Sequence, residues 1–280
     1  MVMRFLRRSY VFLVFLFLYA PIIILIVYSF NASKSRGHWT GFTLQWYREL
    51  FKDRQIMNSL YNTIAIALLA SLIATIVGTA ASIGIFNMKR VKREIMLNIN
   101  YIPVLNPDIV TGISLMLLFS SIKLPLGFTS LLLAHVTFNI PYVVLSVMPK
   151  LKQMNKHLYE AALDLGATPF YAFKKVILPE IMPGVITGFL LALTLSFDDF
   201  VISFFTTGNG VSNLSITVES LARRGISPKL NALSTIMFVS VLLLLIIVNI
   251  RTSKDENERR PKNEKSYQGN VFVSPSSHDI

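Results

Sequence analysis

The sequence predicts an all-α polytopic membrane protein with six transmembrane helices, and three observations carry that prediction. The 280 residues are 53% hydrophobic and only 15% charged, with a mean hydropathy of +0.56, whereas about a quarter of the residues of an ordinary soluble domain are charged. The apolar residues form six long runs almost free of charge, each near the roughly 20 residues a helix needs to cross a hydrocarbon core. Lys and Arg concentrate in alternate connections between the runs, the asymmetry that orients polytopic chains.

The first span, 10–30, follows Arg4, Arg7 and Arg8. Its run is too long for the apolar region of a secretory signal, Pro21 interrupts it and no small-x-small cleavage site follows, so it reads as an uncleaved helix. The segment after it holds Trp39 and Trp46 with Phe42, Tyr47 and Phe51. Two readings are open there: an interfacial aromatic belt, or rings that stack on an ammonium group. The second span, 62–86, ends at the basic turn Lys89, Arg90, Lys92 and Arg93.

The third span, 95–122, contains Asp108. Asn106-Pro107-Asp108 reads as a cap, a proline at the first helical position and an acid in the first turn, so the span is predicted to break and restart there. Discontinuous helices are also where transporters build sites, and capping and substrate contact are compatible roles for Asp108. The fourth span, 130–148, carries His135, expected to hydrogen-bond between helices. The fifth, 183–205, carries Ser196, Asp198 and Asp199, and the sixth covers 230–250. Residues 1–250 thus form one transmembrane domain. The polar tail 251–280 has little to bury and is predicted to be disordered. Eighteen Lys/Arg on one set of connections against nine on the other place both termini in the cytoplasm of a cell membrane.

Three acids fall inside spans. A carboxylate at the bilayer centre costs on the order of 3 kcal/mol, so Asp108, Asp198 and Asp199 are expected to face a cavity or a partner. No Lys or Arg lies at matching depth; a cationic substrate would balance them. Asp198 and Asp199 are about 100° apart on a helix. Asp199 continues a small and polar stripe of Gly188, Ala192, Ser196, Ser203 and Thr206, which assigns Asp199 and Ser196 to a water-lined face and Asp198 to its edge or a neighbouring helix. Small-residue helix packing explains the same stripe without a substrate. Glu219, outside the membrane, reads as a docking-surface or solvated residue.

Several activities are absent. With no Cys, disulfides, thiolate metal sites and a thiol nucleophile are excluded. There is no G-x-x-x-x-G-K-[ST], no zinc-type His/Glu spacing and no nucleophile elbow, so the chain is expected to be no enzyme and to need neither cofactor nor metal. The net charge of +12 belongs to the connections and implies no nucleic acid.

The fourth connection, 150–181, has structure of its own. Leu158, Ala162 and Leu165 share one face of a short amphipathic helix, and Glu160 and Asp164 another. Gly166 suits a left-handed C-cap, Thr168 caps a second helix with Pro169 at its first position, and Pro179 and Pro183 mark the next boundary. From pattern alone this helix either lies on lipid headgroups or docks on a protein. Glu160-Ala161-Ala162, three residues, Gly166, nine residues, then Val176-Ile177-Leu178-Pro179 resembles the EAA loop of binding-protein-dependent ABC importers, with Val176 where Ile is usual. Other segments are similar to the C-type permease subunit of spermidine/putrescine ABC importers: Tyr19 to Val27, Pro107 to Val110, Asp164 to Ala167, Leu195 to Asp199 and Ser227 to Leu233.

The resemblance covers about 6–248. It implies a type I ABC importer permease fold, with Glu160, Ala161, Ala162, Gly166, Leu178 and Pro179 coupling the chain to an ATPase. It implies translocation of polyamines by alternating access, with substrate contact at Asp108, Ser196, Asp198, Asp199 and Trp46. Implied partners are a second homologous permease subunit, two copies of an ATP-hydrolysing subunit and an extracytoplasmic polyamine-binding protein, all assembled in membrane lipid. The alternatives are the same architecture with thiamine or an iron complex as cargo, a secondary transporter using the aspartates as ion sites, and a membrane-embedded aspartyl enzyme. An oxyanion cargo is disfavoured, because anions call for basic groups or helix N-termini at the midplane. A single set of six spans and the EAA loop argue against the secondary transporter. The diverging side chains of Asp198 and Asp199 argue against the enzyme.

Overall fold

With no water available in a bilayer, long apolar runs satisfy their backbone only as helices, and a computed structural model, which describes residues 2–33, 38–225 and 228–259, is helical throughout apart from one antiparallel bridge between Asn31 and Phe42. Five helices are long and apolar enough to cross a membrane: α1 (Val2–Tyr28), α3 (Arg54–Phe86), α6 (Phe128–Gln153), the continuous stretch Pro169–Asp198, and α12 (Pro228–Arg259). The sixth span is a pair, α4 (Arg90–Leu105) and α5 (Asp108–Ser121), bent by 104°. Short helix α2 (Gln45–Lys52) precedes α3.

Where these elements differ from the sequence prediction, the reasons are local. Helix α3 begins at Arg54 and not at residue 62, because Asp53 caps it, accepting from the amides of Gln55 at 3.0 Å and Ile56 at 3.3 Å. A helix of 33 residues is about 50 Å long, so its first turns stand outside a hydrocarbon core of about 30 Å. The third span breaks where predicted, with the roles shifted by one: Pro107 is the cap and Asp108 the first helical residue, while Asn106 closes α4.

Prolines 179 and 183 do not end a helix. Helix α7 (Lys156–Asp164) is followed by α8 (Pro169–Ala172), a π-helical turn at Phe173–Ile177, and then α9 (Leu178–Asp198) without interruption. The wider π turn accommodates the ring of Pro179, which has no N–H to give to the ladder. The fifth span breaks elsewhere, after Asp198: α10 (Val201–Thr206) restarts beyond Asp199 and Phe200, and α11 (Leu214–Arg224) follows. Helix formers carry α12 on through Arg259. The remainder of the predicted tail, with Pro261 and Pro275, lies outside the described residues, as do Lys34, Arg36 and Ser227.

The core is the crossing of α3, α6 and α9, where Ala74, Val143, Val147, Leu151, Ile181 and Ala192 are buried together. Glycines permit the approach. A Cβ on Gly184 would stand 2.8 Å from the carbonyl oxygen of Ser146, and one on Gly188 would stand 3.2 Å from Val143 Cα. A second cluster, Trp46, Leu50, Ile56, Leu214, Ala232 and Leu233, ties the short helices α2 and α11 to the starts of α3 and α12. At that end Lys229 pairs with Asp53, and this ammonium contact holds the Asp53 carboxyl below its ordinary range. Helices α3 and α12 therefore start together, and α12 finishes at the end of the bundle that carries α7.

Candidate functional site

Two features stand apart from the packed bundle: the pair of broken spans that carry the acids, and helix α7 at one end. Both breaks meet. Gly112 of α5 lies against the first turn of α10, where an added Cβ would be 3.4 Å from Ile202 Cα and 3.0 Å from the Phe205 ring. Leu115 and Phe119 of α5, Ala134 and Phe138 of α6, and Ile202 of α10 close one buried cluster beneath them.

The three acids occupy different environments. Asp108 opens α5 and is exposed on the isolated chain; the partial positive charge of a helix N-terminus favours its carboxylate. Asp198 is the last residue of α9 and is also exposed, at the end of a helix that disfavours an anion. Neither makes an ion pair or a side-chain hydrogen bond among the described residues.

Asp199 is the reverse case. Its backbone is extended, and its carboxylate caps α10, accepting from the Ile202 amide at 3.2 Å and from the Ser203 amide and hydroxyl at 2.7 and 2.8 Å. His135 Nε2 stands 3.5 Å from the same oxygen and 3.0 Å from Ser203 Oγ. Asn213 caps α11 and donates both to the Asp199 carbonyl, at 3.2 Å, and to Ser203 Oγ, at 2.7 Å. The expected orientation is thus corrected: Asp199 is turned into the protein and Asp198 outward, because the chain leaves the helical path at Asp199 and the predicted stripe is not one helix face. Ser196 also faces inward, accepting from Asn139 Nδ2 at 2.6 Å with 2% of its surface exposed. Gly188 and Ala192 pack against neighbouring helices, as the packing reading of the stripe requires.

Trp46 does not present its ring. It is 5% exposed in the cluster that joins α2 and α11 to α3 and α12, and its indole N–H donates to the Asn31 carbonyl at 2.7 Å; Trp39 is the exposed tryptophan. His135 hydrogen-bonds between spans as expected. Glu219 pairs with Arg223 at 3.0 Å on the surface of α11. Sequence reasoning missed Asn213 and Asn139. Asn213 had a signal, an Asn immediately before the amphipathic Leu214–Arg224.

Helix α7 follows the sequence closely. Asn155 caps it, accepting from the His157 amide at 3.0 Å, and Gly166 ends it at φ +85°, a conformation that a side chain disfavours. Thr168 caps α8, taking the Tyr171 amide at 3.3 Å. Glu160 is exposed beside His157, and Ala161 and Ala162 lie on the same short helix. Leu178 and Pro179 form the first turn of α9. The apolar side chains of this segment are left open: Leu158 is 51%, Leu165 89% and Phe170 73% exposed. Under α7 a cavity of about 620 Å³ separates it from the ends of α3 and α6.

Six apolar spans, two of them broken at carboxylates, with an amphipathic helix projecting from one end, define a membrane permease. The chain belongs to the family of binding-protein-dependent transport system inner membrane components, whose model matches residues 70–252. Among similar proteins, the spermidine/putrescine transport system permease protein PotC of Haemophilus influenzae is 38% identical over 90% of this chain and 98% of its own length. The putrescine transport system permease protein PotI of Escherichia coli K12 is 37% identical over 88% of this chain and 90% of its own. Among solved structures, a bacterial alginate ABC transporter in complex with a pentasaccharide-bound periplasmic protein superposes with a TM-score of 0.65 at 16% identity, covering 92% of this chain and 95% of that one. The MetNI methionine ABC transporter in inward-facing conformations gives a TM-score of 0.58 at 15% identity over 76% of this chain and 99% of that one. The fold is that of ABC importer permeases, and the relatives of this chain are permease subunits rather than enzymes.

Proposed function

We propose that the chain is a membrane-spanning subunit of an ATP-driven importer of polyamines. The observation that carries this reading is that Asp108 and Asp198 sit at the breaks of two adjoining spans, exposed on the isolated chain and without a counter-ion among the described residues. Anionic side chains do not face lipid at low cost, so this surface lines a polar pathway closed by a second, homologous permease subunit. A flexible chain carrying ammonium groups supplies the missing positive charge. Full-length similarity to permeases named for spermidine and putrescine supports the same substrate class.

The energy source is a pair of ATPase subunits that receive α7 through Glu160, Ala161 and Ala162 and the open apolar residues Leu158, Leu165 and Phe170. Gly166 and the run Leu178-Pro179 join α7 to α9, so rotation of the ATPase pair moves the fifth span and the break it contains. An extracytoplasmic polyamine-binding protein docks at the other end, on α2 and α11. Both termini lie in the cytoplasm, on the side of α7. The test is uptake of labelled spermidine into proteoliposomes holding the complete complex. Uptake that needs ATP inside and loaded binding protein outside is expected; gradient-driven uptake by this chain alone would overturn the reading.

A further inference from the structure

The geometry points to Tyr142 as a further substrate-contacting residue, one whose phenol and ring stand between the two acidic breaks and receive the substrate's ammonium and methylene groups. This rests on the polyamine reading above and names a residue that the acids alone do not reveal.

Tyr142 lies in the middle of α6, one turn after Phe138, with the two rings edge to face at 5.3 Å. Its neighbours place it at both breaks. On one side Asn100, in the last turns of α4, reaches the carbonyl of Pro141 at 3.4 Å, so α6 passes beside the α4/α5 break at this level. On the other side Tyr142 and Leu195 of α9 pack on the same buried cluster of Leu115, Phe138 and Ile202, and Leu195 is one turn before Asp198. The Asp108 carboxylate is near enough to act electrostatically on the phenol.

Two properties distinguish Tyr142 from a packing residue. Its ring is only partly buried, and its hydroxyl makes no hydrogen bond to the described residues. A half-buried phenol in an apolar span normally finds a partner. The inward-pointing side chains around it each make at least one bond to the chain, Asn139 Nδ2 to Ser196, Ser203 to Asp199, and Asn213 to the Asp199 carbonyl and Ser203 Oγ, while Asn139 Oδ1 and His135 Nδ1 have no partner among the described residues. A polyamine presents ammonium groups separated by methylenes. Carboxylates at Asp108 and Asp198 answer the charges, and an aromatic wall between them gives the methylenes an apolar surface and an ammonium a π face. The phenolic oxygen accepts a hydrogen bond from an ammonium N–H. Trp46, sealed in the cluster that joins α2 and α11 to α3 and α12, provides none of this.

The experiment uses the assembled complex in proteoliposomes, with spermidine uptake and binding-protein-stimulated ATP hydrolysis measured together. Tyr142→Phe keeps the ring and its packing on Phe138 and removes only the hydroxyl; uptake per ATP hydrolysed is expected to fall about tenfold, with stimulated hydrolysis and melting temperature unchanged. Tyr142→Leu, which also removes the ring, is expected to fall further and to change the ratio of spermidine to putrescine uptake. Unaltered uptake per ATP in Tyr142→Phe would overturn the proposal. A loss of uptake matched by equal losses of hydrolysis and melting temperature would also overturn it, since that is the signature of packing alone. Failure of the polyamine reading is separate, because the unmodified complex would then take up no polyamine.

Discussion

Asp199 and His135 face each other across two spans, the carboxylate Oδ2 3.5 Å from the imidazole Nε2, with side chains 8% and 1% exposed. Ser203 completes the arrangement: its hydroxyl donates to Asp199 and accepts from His135 and Asn213. Because that hydroxyl's one proton goes to the carboxylate, His135 must carry its own proton on Nε2. Asp199 thus holds the second break together. Asp199→Ala removes a helix cap and leaves three buried polar groups without their acceptor, at a cost of about 2 to 4 kcal/mol. The complex should lose thermal stability in detergent, and an unchanged melting temperature would contradict this assignment.

Asp198 is adjacent in sequence and opposite in role. With no partner to lose, Asp198→Asn should change stability by less than about 0.5 kcal/mol and yet reduce polyamine uptake by an order of magnitude or more. Asp108→Asn should behave likewise, with ATPase subunits still retained on affinity purification. Wild-type uptake in both variants would remove the acids from the pathway.

At the crossing of α6 and α9 there is no space for a methyl group. Gly184→Ala places a carbon 2.8 Å from the Ser146 carbonyl oxygen, and overpacking of this kind costs about 1 to 3 kcal/mol. The expected outcome is a lower melting temperature with the substrate preference unchanged.

The ion pair of Asp53 and Lys229 provides a pH test outside the membrane. The Lys229 contact, aided by the Ile56 and Gln55 amides, lowers the Asp53 carboxyl when the chain is folded. The unfolded chain therefore binds the proton first as pH falls, so the contribution of the pair is present above the ordinary carboxylate range and is lost as pH drops through the folded value. Acid titration of thermal stability should flatten in Asp53→Asn. The effect is modest because both side chains are partly solvated.

Gly166 holds the left-handed turn after α7 at φ +85°. Gly166→Val imposes about 1 to 2 kcal/mol of local strain and redirects the coupling helix. Uptake per ATP hydrolysed should fall while binding of polyamine to the isolated receptor is untouched; full coupling in this variant would show that the turn is not needed.

Much of the molecule is legible in its sequence because bilayer and helix physics act on contiguous residues. Charge-free length gives the spans, Pro107 the first break, Gly166 the end of α7 and Thr168 the start of α8. What periodicity misjudged were the fifth span and the acids within it. A regular 100° rotation assigns Ser196 and Asp199 to one open face, but the helix ends at Asp198. The end is made by Asp199 itself, whose carboxylate caps α10 through the Ile202 and Ser203 amides, and is reinforced by His135 of α6 and Asn213 at the start of α11, which periodicity cannot place.

Composition and motif spacing by themselves determined the six spans and the projecting helix, since each depends on residues close together in the chain. Only the tertiary structure decided which acid is free. The Asp199 carboxylate is satisfied by the first turn of α10 with His135 of α6 beside it, Asp198 by no side chain among the described residues, and Trp46 is enclosed by helices far from it in sequence. A carboxylate's role in a membrane depends on whether the fold has already supplied its hydrogen-bond donors; for Asp199 these are the first turn of α10, aimed at it where the chain breaks, with His135 brought alongside by the packing of α6.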